Sequence, residues 1–175
     1  MTWLHYAQTG LALVLSLIAA WTDHRTGTIP NRLTIPSLFL GLGLGLVHDA
    51  ASGLFMAIAG VFATALVPLI LFRFGAMGGG DVKLFAALGA LLGAGSALEA
   101  EILAFFLGTV QGMVIWYRNG QLKQGLLVAA TLAIPSGLKK RVFHTGPPKT
   151  VSTEIRFGPA IFIATLVTIA LRTYW

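Results

Sequence analysis

LFMAIAGVFATALVPLILFRFGAMGGGDVKLF, residues 54–85, carries no charge from Leu54 to Phe72, then an arginine, a run of glycines and an aspartate before the next apolar stretch. An uncharged run of this kind reads as a membrane-crossing helix, because about 20 apolar residues are needed to span the hydrocarbon core. The aspartate is the anomaly. A carboxylate at membrane depth costs about 2.5–3.5 kcal/mol on insertion scales, so Asp81 needs a compensating role.

The rest of the chain agrees with the membrane reading. Of 175 residues, 56% are hydrophobic and 10% are charged, against about 25% charged in a typical soluble domain. The mean hydropathy is +0.82. The net charge of +6 comes without an aromatic-basic groove signature, so no nucleic-acid partner is expected. The chain has no cysteine, which excludes disulfides, a thiolate nucleophile and Cys-ligated metal sites. The first 21 residues carry no Lys or Arg in MTWLHYAQ, and their apolar run continues to Trp21. They read as a retained span rather than a leader.

Six spans are expected: Trp3–Trp21, Leu33–Val47, Leu54–Phe72, Val82–Leu98, Ile102–Tyr117 and Gly158–Leu171. The fold class is therefore all-α, a single membrane-embedded domain over residues 1–175. With the N-terminus outside, Arg25, Arg32, Arg73, Lys83, Arg118, Lys123, Lys139, Lys140, Arg141, Lys149 and Arg156 fall at the cytoplasmic face, and only Arg172 falls outside. The positive-inside rule then gives an N-out, C-out arrangement. Asp49, Glu99 and Glu101 are placed in outer loops. Residues 118–157 form a long inner loop. Its stretch GLLVAATLAIP (125–135) is expected to lie at the interface or re-enter, with a true crossing as the alternative, and KKR at 139–141 suits anionic headgroups of the bilayer. The glycines of GLGLGLV (41–47) and GALLGAG (89–95) suit close helix packing.

This topology puts two carboxylates on one side. Asp23 ends the first span in WTDHRTGTIPN, and Asp81 opens the fourth in GGGDVKLF. Two carboxyls about 3 Å apart cannot both ionise freely and share one proton. One can then act as base on a water while the other polarises a carbonyl. That chemistry calls for no metal and no cofactor. Considered helix by helix, the dipole favours the anion at Asp81, on an amino-terminus, and opposes it at Asp23, on a carboxy-terminus. Gly78, Gly79 and Gly80 lack Cβ and permit positive φ or close backbone approach, as an extended peptide substrate would need.

These elements resemble the type IV prepilin peptidase family. GGGD (78–81) fits the GxGD motif of membrane aspartyl proteases, and VKLFAALGALLG continues in the family's manner. Asp23 is followed by IPN (29–31), and FGPA (157–160) resembles the family's late glycine-proline element. The resemblance implies a protease of the bacterial inner membrane. It would cleave the short basic leader of prepilins or pseudopilins at the cytoplasmic face, with Asp23 and Asp81 as the catalytic pair. The first loop of about ten residues and the missing cysteines depart from the two-activity members, so N-methyltransferase activity is not expected. The compact form is similar to the small peptidases of tight-adherence (Flp) pilus systems, or to the archaeal preflagellin peptidases.

Other readings compete at each position. Asp81 could be a helix cap, and Asp23 a loop residue pairing with Arg25. Pro30 and Asn31 start the second helix, with Asn31 able to orient a carboxylate. Lys83 is expected to snorkel, and Gly158 and Pro159 to shape a helix start. His24 has no second ligand at suitable spacing. At the level of the whole protein, paired intramembrane carboxylates also serve proton or cation pathways, and a non-enzymatic pilus assembly protein is a third reading.

Overall fold

The computed structural model describes residues 2–123, 125–127 and 156–174, and these residues form helices and short turns without strands. Most of the 125–135 segment, the KKR stretch, Lys149 and Glu154 lie outside the described residues. The long helices among the described residues are α1 (Thr2–Thr26), α2 (Asn31–Arg73), α3 (Gly79–Arg118) and α4 (Gly158–Tyr174). The first three are long and apolar enough to cross a membrane, and α4 is a shorter apolar helix. The chain divides into two compact units, Met1–Leu107 with Arg156–Trp175, and Gly108–Ile155.

Two of the helices are too long for one crossing. At 1.5 Å per residue, the 43 residues of α2 would run about 65 Å, twice the hydrocarbon thickness. The backbone leaves helical geometry at Asp49 (φ −150°, ψ 48°) and Ala50 (φ 41°, ψ −127°). Beyond that point the chain turns back. Gly45 and Gly53, which a straight helix would separate by about 12 Å, lie so close that a Cβ on either would overlap the other's backbone. The α2 assignment is thus a hairpin of two antiparallel limbs. Ala50 holds a positive φ without being glycine, a conformation costing about 1–3 kcal/mol.

The same happens in α3. Gly93 takes φ 72° and ψ 167°, which a residue without Cβ adopts freely. The rings of Phe85 and Phe105, about 30 Å apart in a straight helix, stack with centroids 5.9 Å apart. This corrects the expected loop between Leu98 and Ile102. The chain breaks at Gly93, and Glu99 and Glu101 are helical. Glu99 is exposed and paired with Arg172, whereas Glu101 is buried, its Oε2 without a hydrogen-bond partner among the described residues.

Small residues bring the limbs of the larger unit together, as expected for helices in lipid. Gly60 and Gly89 meet backbone to backbone, and a Cβ on Gly41 would come 2.7 Å from that of Ala90. The buried Thr64 hydroxyl lies 2.8 Å from the Phe85 carbonyl and 2.9 Å from that of Gly60. A Cβ on Gly43, in the same run of glycines, would meet nothing within 4 Å beyond its own helix. Leu15, Ala19, Leu84, Leu88, Ile161 and Ala164 fill the centre, and α1 packs along α4. Outward, Leu17, Phe39, Phe55, Phe62, Leu66 and Ile102 stand exposed. An apolar exterior of this extent is what a lipid environment accommodates.

The limbs of this unit therefore run between two ends. One end carries the α1–α2 junction, the α2–α3 junction and the start of α4. At the other, Gln8, His48, Asp49, Ser52 and Gly93 border one open cavity, and His5, Ser96 and Arg172 border another.

Candidate active site

The helix-terminus end gathers all three sequence elements singled out above. Asp23 sits in the last turn of α1 and is 7% exposed. Its Oδ2 accepts a 2.8 Å hydrogen bond from the backbone N–H of Gly158. Gly158 is the first residue of α4, where backbone N–H groups lack intrahelical partners, so Asp23 caps a helix far along the chain. A Cβ on Gly158 would lie 2.8 Å from Asp23 Cβ and 3.1 Å from Ala20 Cα. Glycine is required there because α4 starts against α1. Pro159 follows in the first turn of α4, where its missing N–H costs nothing.

This contact changes the dipole argument made from α1 alone. Asp23 ends one helix but faces the amino-terminus of another, so each aspartate has a helix amino-terminus beside it. Asp81 lies in the first turn of α3, partly buried. Its carboxylate hydrogen-bonds the Gly78 backbone and lies within electrostatic reach of Asp23. The fold thus brings together two carboxyls that are remote in sequence. Among the described residues neither is in an ion pair. The guanidinium of Arg25, the nearest cation in sequence to Asp23, lies over the Trp21 ring at 4.4 Å instead.

The glycines serve close approach, not positive φ. Gly27, Gly75, Gly93 and Gly120 are the described glycines with positive φ, so Gly78, Gly79 and Gly80 do not use that freedom. A Cβ on Gly80 would come 3.0 Å from Ile29 Cβ and 3.3 Å from its carbonyl oxygen, and one on Gly79 3.3 Å from the Phe72 ring. Gly80 therefore seats the α1–α2 junction directly on α3. Pro30 is the N-cap of α2, at φ −72° and ψ 140°, one position earlier than the first turn. The Oδ1 of Asn31 accepts a 2.7 Å hydrogen bond from Lys83 Nζ. Lys83 is accordingly tied down at this end, a role the sequence did not signal.

Beneath Asp81, one helical turn on, Phe85 packs with Phe105 and Phe157 at centroid separations of 5.7–6.3 Å. Phe157 directly precedes Gly158, so this apolar cluster fixes the segment that presents the Asp23 donor. The arrangement holds two carboxyls in a partly dry site with backbone donors and, among the described residues, no ion pair to either. No group of three or more His, Asp or Glu side chains at metal-binding separation occurs among the described residues.

The model of the type IV leader peptidase family matches residues 10–115. That range holds Asp23, Pro30, Asn31, Gly78, Gly79, Gly80 and Asp81 but not the Gly158–Pro159 element. The chain is 40% identical over 107 residues to prepilin peptidase EppA of Methanothermobacter thermautotrophicus, covering 57% of this chain and 26% of that protein. It is 33% identical over 119 residues to a prepilin leader peptidase/N-methyltransferase of Burkholderia pseudomallei, covering 65% and 38%. It is 34% identical over 101 residues to one of Bacillus subtilis, covering 56% and 40%. The matched region thus covers well under half the length of each of these curated relatives. No solved structure matches the chain. Apolar helices and shared sequence together make this an integral membrane protein, and the chain belongs to the type IV leader peptidase family.

Proposed function

We propose that this protein is a membrane aspartyl endopeptidase that removes the short basic leader of Flp-like prepilins at the cytoplasmic face of the bacterial inner membrane. The observation that carries the reading is the meeting of Asp23 and Asp81 at one end of the helices, within electrostatic reach and without a paired cation among the described residues. One carboxylate takes a proton from a water poised between them. The other, protonated, hydrogen-bonds the scissile carbonyl. Water oxygen adds to the carbonyl carbon, and the shared proton passes to the leaving amine as the peptide bond breaks. This is general acid–base catalysis with the two roles set by one shared proton.

The charge distribution supports an orientation. Arg25, Arg32, Arg73, Lys83 and Arg156 belong to the aspartate end, and Arg172 to the other. By the positive-inside rule the aspartate end faces the cytoplasm. The six helical limbs of α1 to α4, among the described residues, would then be six crossings with both termini outside. The basic end attracts anionic headgroups, which in turn concentrate a basic leader. The junction between α1 and α2 is only residues 27–30, with no inserted domain, and we assign no N-methyltransferase activity.

The test is cleavage of a prepilin in proteoliposomes by the wild type and by Asp23→Asn and Asp81→Asn. A shortened prepilin from the wild type alone, with both variants folded, supports the reading. Cleavage by either variant contradicts it. Ion flux through the same proteoliposomes without cleavage would point to a transporter instead.

A further inference from the structure

Lys83 stands two residues beyond Asp81, yet it bonds neither aspartate among the described residues. Its ammonium donates to Asn31 Oδ1 at 2.7 Å, across a long interval of sequence. Asn31 is the first residue of α2, and Lys83 lies at the start of α3. The bond therefore ties the α1–α2 junction to the helix that carries Asp81.

That junction behaves as a strap. At its first end the Gly27 N–H bonds the Asp23 carbonyl at 2.8 Å, with Gly27 at φ 69°, so the strap begins on the Asp23 turn itself. The Thr26 and Thr28 hydroxyls, 3.0 Å apart, hold it in shape. Midway, Ile29 is buried against Gly80. At its far end it is held by Lys83. The Ile29–Gly80 contact is non-directional and permits sliding. The Lys83–Asn31 bond is exposed, so its use is direction rather than strength: a hydrogen bond from an ammonium has a preferred geometry and can set register where the packing contact cannot.

We propose that Lys83 is a positioning residue: through Asn31 it locks the 27–30 strap onto α3 and so holds the Asp23 turn in register with Asp81. Its kinetic consequence rests on the peptidase reading; its structural consequence does not. Asn31 suits the task because a neutral acceptor leaves the local charge balance around the two carboxyls unchanged.

Two measurements test this. The first is prepilin cleavage by Lys83→Met, Asn31→Ala, the double variant and Lys83→Arg in proteoliposomes. A misregistered catalytic group costs rate rather than binding, so Lys83→Met and Asn31→Ala should each lower kcat about tenfold with KM within about twofold. The double variant should be no slower than either single variant, since both remove one bond. Lys83→Arg, which keeps a charged donor, should retain most of the wild-type kcat. The second is backbone amide exchange over residues 27–33 in the full protein. It should quicken in Lys83→Met and Asn31→Ala but not in Lys83→Arg.

Unchanged kcat and unchanged exchange in Lys83→Met would overturn the proposal. A rise in KM alone would overturn it in favour of a substrate contact, and losses that multiply in the double variant would show two independent roles. If the wild type cleaves no prepilin, the peptidase reading fails, and amide exchange alone still decides whether the strap is locked by Lys83.

Discussion

At one end of the helices Glu99 lies exposed, its two oxygens 2.6 and 2.9 Å from the guanidinium of Arg172. At the other end Asp23 is buried, its described partner is a neutral backbone N–H, and a second carboxyl stands within electrostatic reach. The first arrangement is chemically quiet. A carboxylate matched by its counter-ion in solvent has little tendency to exchange protons with a substrate, and such pairs contribute little to stability. The second is one the fold has to hold in place. Burying a carboxyl without a paired cation is unfavourable, so the scaffold around it must be correspondingly rigid. At the aspartate end that rigidity comes from backbone approach at Gly158 and Gly80. The far end has close backbone approach of its own, at Gly45 and Gly53, but its turns are made by Gly93 and by the strained Ala50, beside an open cavity of about 360 Å³.

The comparison can be broken by substitution. The largest effect is expected at the aspartates: Asp23→Asn or Asp81→Asn should lower kcat for leader cleavage by a factor on the order of 10³. Glu99→Gln at the other end should leave it within about twofold, as expected for an exposed pair. Equal losses from Glu99→Gln would end the distinction between the two carboxylates. Next comes Gly158→Ala. Its new methyl must displace the Asp23 side chain or the α1 backbone, and a shift of about 1 Å in a catalytic group costs up to about 100-fold in rate. The measurement is kcat with KM followed in parallel.

A smaller effect separates packing glycines from spectators. Gly89→Ala places a methyl onto the Gly60 carbonyl and the Thr64 hydroxyl. It should destabilise the protein by about 1–3 kcal/mol, as overpacking does, read from thermal unfolding in detergent. Gly43→Ala, with nothing within 4 Å, should be neutral or stabilising by up to about 1 kcal/mol, since alanine is the better helix former. If both behaved alike, the Gly60–Gly89 contact would not be what joins the α2 and α3 limbs.

Much of this was legible in the sequence, for identifiable reasons. The apolar runs marked the helices, and the break at 48–53 followed from HDAASG, a polar interruption at the right depth. The two aspartates were visible because charge is conspicuous in an apolar chain. The α3 break was not legible. GALLGAG offers Gly89, Gly93 and Gly95 as equivalent, and only the structure separates Gly89, which packs, from Gly93, which turns. Glu99 and Glu101 drew the expected loop several residues too late, because glutamate is a good helix former and Arg172, distant in sequence, partners Glu99. The Asp23–Gly158 bond and the Lys83–Asn31 bond were equally hidden. Both join residues far apart along the chain, and pattern reading has no access to such pairs.

The central claim is that Asp23 and Asp81 act as one unit. The most direct test compares kcat for prepilin cleavage by the wild type, Asp23→Asn, Asp81→Asn and the double variant, all shown to be folded. Groups that work together are strongly non-additive, so the account predicts that each single variant is as slow as the double. Losses that multiply in the double variant, or a single variant that keeps near wild-type kcat, would contradict it.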